Sequence, residues 1–165
     1  MAPLLALLHR FCFGLLVIVS VWTIGGAAQA GDLDTYVVRF LKVQEPVPIV
    51  IDGQGNTRDF SAEEISEGKR LFENNCLNCH VGGSTLPDPR ISLSLADLAG
   101  ATPPRNHVQA LVDFMREPLS YDGTEAAYLC REVPPSWLSD DQVANLAAFI
   151  LRAADMAPGW GAKEF

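Results

Sequence analysis

The period of hydrophobic and polar positions changes along the chain. Between residues 31 and 60, β-branched residues are frequent, and the turn-forming run at residues 52–56 (DGQGN) follows them. β-Branched stretches next to a turn-rich segment predict a β-hairpin. We therefore expect a short hairpin in this part of the chain. The β-branched residues are Val37, Val38, Val47, Ile49, Val50 and Ile51.

A helical period begins at Ser61. Ser61 and Glu64 have the spacing of a capping box, in which each side chain satisfies a free amide at the start of a helix. The pattern predicts a helix that ends at about Asn74 or Asn75. The positions that recur on one side of it are Ile65, Gly68 and Phe72.

Two more helices are predicted further along the chain. One lies near residues 105–116, where hydrophobic residues recur at helical spacing before Pro118 forbids continuation. The other opens with a capping box of Ser139 and Gln142 and ends near Asp155. The hydrophobic positions are Val108, Leu111, Val112 and Met115 in the first helix, and Val143, Leu146, Ala147, Ile150 and Leu151 in the second.

The first thirty residues have the composition of a targeting segment. Arg10 supplies a positive charge, residues 11–26 contain no charged residue, and residues 28–30 (AQA) match the small-x-small pattern that signal peptidase cleaves. We expect a signal peptide at residues 1–30. The alternative is an uncleaved membrane anchor, because the apolar run approaches the length that spans a bilayer.

The charge balance disfavours one class of partner. The chain has 12 basic and 20 acidic residues, which give a formal net charge of −8. All acidic residues follow position 30 and Arg10 precedes it, so the mature chain would have 11 basic and 20 acidic residues and a net charge of −9. Such a chain is not expected to bind nucleic acid. It suits a positively charged partner, or the charge simply maintains solubility.

The strongest motif is CLNCH at residues 76–80. Two thiols with this spacing can both reach the vinyl groups on one edge of a porphyrin and form thioether bonds, and the histidine that follows can ligate the iron. The motif predicts one covalently bound haem c, attached through Cys76 and Cys79, with His80 as the proximal iron ligand. Export agrees with this prediction, since c-type haem is attached outside the cytoplasm.

Two other interpretations of the cysteine pair are weaker. A zinc site would need two further ligands, and the mature chain offers only Cys130 and His107, at irregular spacing. A thioredoxin-like pair would lie at a strand-to-helix junction, whereas this pair follows a predicted helix.

The predicted fold is therefore all-α: a small c-type cytochrome fold wrapped around one haem, with a short N-terminal β-hairpin. The predicted organisation is a signal peptide at residues 1–30, an extension with the hairpin at 31–60 and a c-type cytochrome domain at 61–165.

Several segments resemble the PsbV family, the low-potential cytochrome c of cyanobacterial photosystem II. The resemblance covers about residues 46 to 123. It implies an extrinsic subunit in the thylakoid lumen, peripheral to the membrane, that helps to stabilise the oxygen-evolving site. The resembling segments are residues 68–72 (GKRLF), 81–83 (VGG), 101–105 (ATPPR), 111–115 (LVDFM) and 120–123 (SYDG).

The chain departs from this family at the distal iron ligand. The family has a histidine followed by Pro-Ser downstream of the YDG segment, and the matching stretch here is residues 132–136 (EVPPS), with Pro134 at the histidine position. In ordinary small c-type cytochromes a methionine commonly precedes such prolines, and Val133 stands there. Both usual ligands are missing, which indicates a divergent paralogue with an altered sixth ligand.

Four side chains are candidates for the sixth ligand: Cys130, His107, Met115 and Met156. We predict Cys130, because it lies on the expected loop and is the odd cysteine once two others carry the haem. The alternatives for Cys130 are a buried inert thiol, an intermolecular disulfide, or a distal side left open to water. Met115 has the spacing of a core residue.

The predicted function is that of a low-potential monohaem cytochrome, because a thiolate ligand favours ferric iron. It would transfer electrons or serve as an extrinsic lumenal subunit, with photosystem II subunits or a small redox partner as its contacts. An enzyme is not expected. The alternatives are a haem protein that binds small ligands or acts like a peroxidase at an open sixth site, and an assembly factor whose haem serves as a core.

Overall fold

The structure is a computed structural model that describes residues 33–86, 88 and 90–163. The predicted signal peptide lies outside these residues. Within the described part of the chain, no helix is both long enough and apolar enough to cross a membrane.

The described residues form α-helices, one β-hairpin and one short 3₁₀ turn. The elements in chain order are α1 (Thr35–Arg39), β1 (Val47–Val50), β2 (Thr57–Phe60), α2 (Ala62–Asn75), the 3₁₀ turn (Val81–Gly83), α3 (Leu95–Gly100), α4 (Val108–Arg116) and α5 (Asp140–Met156).

The predicted hairpin is confirmed for residues 47–60, but Val37 and Val38, which were counted toward it, lie in helix α1. β1 and β2 pair in antiparallel fashion, with Val47 opposite Phe60 and Val50 opposite Thr57. The carboxylate of Asp52 closes the turn, because its Oδ1 accepts hydrogen bonds from the backbone N–H groups of Gln54 (3.0 Å) and Asn56 (3.1 Å).

Both predicted capping boxes are present, at the starts of α2 and α5. These two helices pack closely against each other. A side chain at Gly68 of α2 would overlap the backbone carbonyl of Asn145 in α5, so only glycine permits this approach. Beside the crossing, the rings of Phe72 and Phe149 lie 5.4 Å apart.

The boundaries of two helices differ slightly from the sequence pattern. α4 begins at Val108 rather than near residue 105, because His107 is its N-cap and accepts a hydrogen bond from the Ala110 N–H at Nδ1 (3.1 Å). α5 extends one residue past Asp155, so Met156 is its last residue. Short α1 and α3 were not predicted, since five or six residues are too few to display a helical period.

A single hydrophobic core includes the N-terminal part of the described chain. Val37, Leu41 and Phe60 are fully buried in the same cluster as Ile65 of α2 and Leu146 of α5. Each such side chain stabilises the fold by about 1.5–3 kcal/mol relative to exposure. The hairpin segment therefore supports α2, the helix that leads into the haem-attachment motif.

Candidate haem site

The CLNCH motif forms a tight turn directly after α2. Cys76 is the C-cap residue, and its N–H donates to the Phe72 carbonyl (2.8 Å). Its own carbonyl accepts hydrogen bonds from the N–H groups of Cys79 (3.1 Å) and His80 (2.9 Å). The prediction that the motif ends a helix is confirmed, and the turn brings both cysteines and the histidine to one end of α2.

The cysteine pair does not have the electrostatics of a redox-active dithiol. Cys76, Cys79 and Cys130 are free thiols in the structure. Burial raises the pKa of Cys76 to about 12, and the nearby Cys130 and Cys79 add to this increase. A thioredoxin-like pair requires a lowered thiol pKa, so this surrounding favours a structural role for the sulfur atoms.

His80 has the surroundings of a neutral metal ligand. Burial lowers the pKa of His80, and a hydrogen bond with the backbone carbonyl of Ser84 opposes part of that shift. The Thr85 hydroxyl oxygen lies 3.3 Å from Nδ1 of the ring. A partner at Nδ1 fixes the ring and leaves Nε2 available to a metal. The sequence did not reveal Thr85, because no motif marks this contact.

A cavity of about 330 Å³ opens beside the motif. Cys79, His80 and Cys130 all border it. An apolar cavity with sulfur and imidazole groups in its wall fits a haem, which is large, flat and mostly apolar. The apolar side chains that line it are Leu86, Ile91, Leu93, Leu98, Ala101, Leu111, Phe114, Leu119, Ala127 and Leu129.

A second groove, of about 550 Å³, is larger but lacks this chemistry. It is bordered by Gly53, His107, Asp113 and Glu117, among others, and by no cysteine. The volume alone therefore does not identify the functional site.

Only one of the four candidates for the sixth ligand borders the haem cavity, and it is Cys130. His107 instead caps α4. Met115 lies in the core with 6% exposure, as its spacing predicted, and Met156 ends α5 at the edge of the core. Burial raises the pKa of the Cys130 thiol, although the charge of Arg105 partly opposes this.

Two segments that carry the family resemblance contact each other beside the cavity. The Thr102 N–H donates to the Tyr121 carbonyl (2.8 Å), and the Tyr121 hydroxyl donates to the Asp97 carbonyl (2.8 Å). Gly123 has a φ of +75°, and a side chain there would overlap the Thr102 carbonyl. The ATPPR and YDG segments are thus two halves of one substructure that forms a wall of the haem cavity.

Helices around an apolar cavity, with a CxxCH turn at the end of one helix, define the class of c-type cytochromes. Residues 39–165 match the sequence profile of the cytochrome c-550 domain, and the chain belongs to this family. The predicted family is therefore confirmed. Membership implies a haem c cofactor.

Two relatives show how closely the chain follows this family. The cytochrome c-550-like protein of Thermosynechococcus vestitus is 53% identical over 156 residues, which cover 93% of this chain and 89% of the relative. Photosystem II extrinsic protein V of Gloeobacter violaceus is 55% identical over 128 residues, which cover 78% of this chain and 69% of the relative.

Solved structures confirm the predicted fold class. The crystal structure of the PsbV2 cytochrome from Thermosynechococcus elongatus superposes with a TM-score of 0.77 at 56% identity, covering 79% of this chain and 99% of that one. Cytochrome c549 superposes with a TM-score of 0.63 at 32% identity, covering 68% of this chain and 95% of that one.

Proposed function

We propose that the protein is a low-potential monohaem cytochrome that carries electrons on the lumenal side of the thylakoid membrane, at photosystem II. The observation that supports this most strongly is the apolar cavity shared by Cys79, His80 and Cys130. The chain has one CxxCH motif, so one haem is proposed. A relative 55% identical to this chain is named photosystem II extrinsic protein V, which supports the location.

Each side chain has a defined role in this proposal. The sulfur atoms of Cys76 and Cys79 would hold the haem as thioethers, and His80 would bind its iron through Nε2. Cys130 would supply the sixth ligand. The bound haem contributes one-electron chemistry, and the protein sets its potential through these ligands and the apolar lining.

A thiolate from Cys130 would keep the potential low. It donates electron density and so favours ferric over ferrous iron. Ten apolar side chains line the same cavity. These two properties suit electron transfer better than the activation of a substrate.

The ligand assignment is tested with the holoprotein and its Cys130→Ser variant. We expect the variant to shift the ferric Soret band, change the electron paramagnetic resonance spectrum and raise the midpoint potential. Met115→Leu is the matched control, because Met115 is buried outside the cavity. An unchanged spectrum in Cys130→Ser would refute the assignment.

The location is tested by binding the mature holoprotein to photosystem II membranes stripped of extrinsic subunits. We expect cosedimentation at low ionic strength and release at about 1 M salt, where the Debye length falls to about 3 Å. The predicted mature charge of −9 is the reason for this salt dependence. Absence of binding at every salt concentration would indicate a soluble carrier instead.

A further inference from the structure

The loop that carries Cys130 is held at its ends and not in its middle. We call residues 118–138 the distal segment. Before Cys130, the Ala127 N–H donates to the Pro118 carbonyl (2.9 Å) at the start of the segment, and after Cys130 the Val133 N–H donates to the Met115 carbonyl (2.8 Å). Within the described chain, residues 128–132 make no hydrogen bond between backbone groups. The anchors on either side therefore decide where Cys130 lies.

Arg105 anchors the first end of the distal segment. Its Nη2 donates to two successive backbone carbonyls, those of Leu119 (3.1 Å) and Ser120 (2.6 Å). The guanidinium also lies 4.1 Å from the centroid of the Phe114 ring, which fixes its plane. Arg105, Phe114 and Leu119 all border the haem cavity.

Arg116 anchors the other end, and it uses two nitrogen atoms where Arg105 uses one. It is the last residue of α4, and its side chain is 18% exposed. Nη1 donates to the Val133 carbonyl (2.6 Å) and Nη2 donates to the Leu138 carbonyl (3.0 Å). An ion pair with Asp140 (2.6 Å) orients the same guanidinium.

We infer that Arg105 and Arg116 are positioning residues that hold both ends of the distal segment beside α4 and thereby fix the position of Cys130 at the haem. This inference rests on the proposed function, in which Cys130 is the sixth ligand. A guanidinium presents several donors in one rigid plane and can satisfy two carbonyls together. A lysine ammonium keeps the charge but has neither the fork that Arg116 uses nor the flat group that Arg105 places over Phe114. Arg→Lys therefore tests the geometry and not the charge.

The experiment uses ferrous holoprotein with Arg105→Lys, Arg116→Lys and the double substitution. Carbon monoxide binds only after the distal ligand leaves, so its association rate reports how firmly the distal segment is held. We expect the double variant to bind carbon monoxide about tenfold faster, because net hydrogen bonds to two ends of the loop are weakened. A second ferric species in the electron paramagnetic resonance spectrum should accompany this change.

Arg152→Lys is the matched control. Nε of Arg152 also donates to a backbone carbonyl, that of Leu41 (2.9 Å), but Leu41 lies outside the distal segment. We expect this variant to lose some thermal stability and to keep the wild-type carbon monoxide rate. An equal acceleration in Arg152→Lys would refute the inference, since the effect would then be global. A wild-type rate in the double variant would refute it as well.

Hydrogen exchange in the wild-type holoprotein tests the inference without any variant. We expect slow exchange at the amides of Ala127 and Val133 and fast exchange across residues 128–132. Uniform protection across the distal segment would contradict the arrangement in which the segment is anchored on both sides of Cys130.

The two proposals can fail separately. An unchanged Cys130→Ser spectrum would refute the ligand assignment. A changed Cys130→Ser spectrum together with a wild-type carbon monoxide rate in the double arginine variant would refute only the role of the arginines.

Discussion

The two sides of the haem cavity differ in how many contacts hold them in place. On the proximal side, the C-terminal residues cover the turn that follows His80: the Gly161 N–H donates to the Gly82 carbonyl (2.8 Å), and the Ser84 hydroxyl donates to the Ala162 carbonyl (2.5 Å). On the distal side, Tyr128 and Leu129, the two residues before Cys130, are 89% and 75% exposed.

This difference shows which part of the site can change. A side chain at Gly83 would come within 2.6 Å of the Trp160 ring, so the proximal turn has little freedom. The middle of the distal segment has few contacts that a substitution would break. A cytochrome of this fold can therefore change residues of the distal segment, as the proposed replacement of the sixth ligand by Cys130 requires, without altering the way in which the haem is attached.

The largest expected effect comes from removing the proximal attachment. In Cys76→Ala with Cys79→Ala, we expect complete loss of covalently bound haem, because no thioether can form. Haem stain on a denaturing gel measures this directly. Cys130→Ala should retain full stain, and haem that stays with the double variant under denaturing conditions would contradict the assignment.

The next effect sharpens the distal side. Cys130→Met replaces a thiolate by a neutral thioether, which raises the potential of a histidine-ligated haem. We expect an increase on the order of 0.1 V, within the range of about 0.8 V that axial ligands span. Redox titration of the holoprotein measures it, and covalent haem should be unaffected. A potential equal to that of the wild type would indicate that Cys130 does not bind the iron.

A third substitution tests the support of the proximal side. Gly68→Ala forces α2 away from α5, because the added methyl group meets the Asn145 carbonyl. We expect a loss of about 1–3 kcal/mol in the free energy of unfolding, the usual cost of overpacking. Urea unfolding of the holoprotein measures it. Gly55→Ala is a control for a glycine with open space around it, although its φ of +84° adds local strain.

The smallest effect depends on pH. Burial alone would raise the pKa of Asp97, but hydrogen bonds from Ser92 and the ion pair with Lys163 (2.9 Å) outweigh it, and the pKa is lowered. A lowered pKa in the folded state gives stability that is present above the unfolded value and is lost as the pH falls through the folded value.

We therefore expect the wild type to lose more stability than Asp97→Asn between about pH 5 and about pH 2. Urea midpoints across this range measure the difference. Asp97 of α3 links Ser92 to Lys163 of the C-terminal segment, so the result also shows how far that contact supports the proximal side. Parallel curves for the two proteins would contradict the expectation.

Local patterns were enough to predict most of the secondary structure and the helix end that carries the CLNCH motif. The capping boxes at Ser61 and Ser139, the hairpin turn and the helical spacing around Met115 all depend on residues within a few positions of each other. The helix end before Cys76 belongs to the same group. These features follow from short-range hydrogen bonds and periodicity, which the sequence displays directly.

Contacts between distant residues were not predictable in this way. Nor did any local pattern mark two shorter contacts, the cap of α4 by His107 and the approach of Thr85 to the ring of His80. Arg105 stood in a motif that marked the family, but its contacts are with carbonyls 14 and 15 residues away. Long-range contacts of this kind depend on how the loops pack against each other, and the spacing of residues along the sequence does not show this packing.

The sequence by itself determined that the chain has one CxxCH motif and neither usual ligand at residues 133 and 134, and it predicted His80 as the proximal ligand. Only the tertiary structure decided which of the four candidate ligands borders the cavity and which side chains hold the distal segment. The physical reason is that attachment needs two cysteines and a histidine within one turn of chain. The sixth position needs a side chain carried there by packing, over a separation of fifty residues between His80 and Cys130.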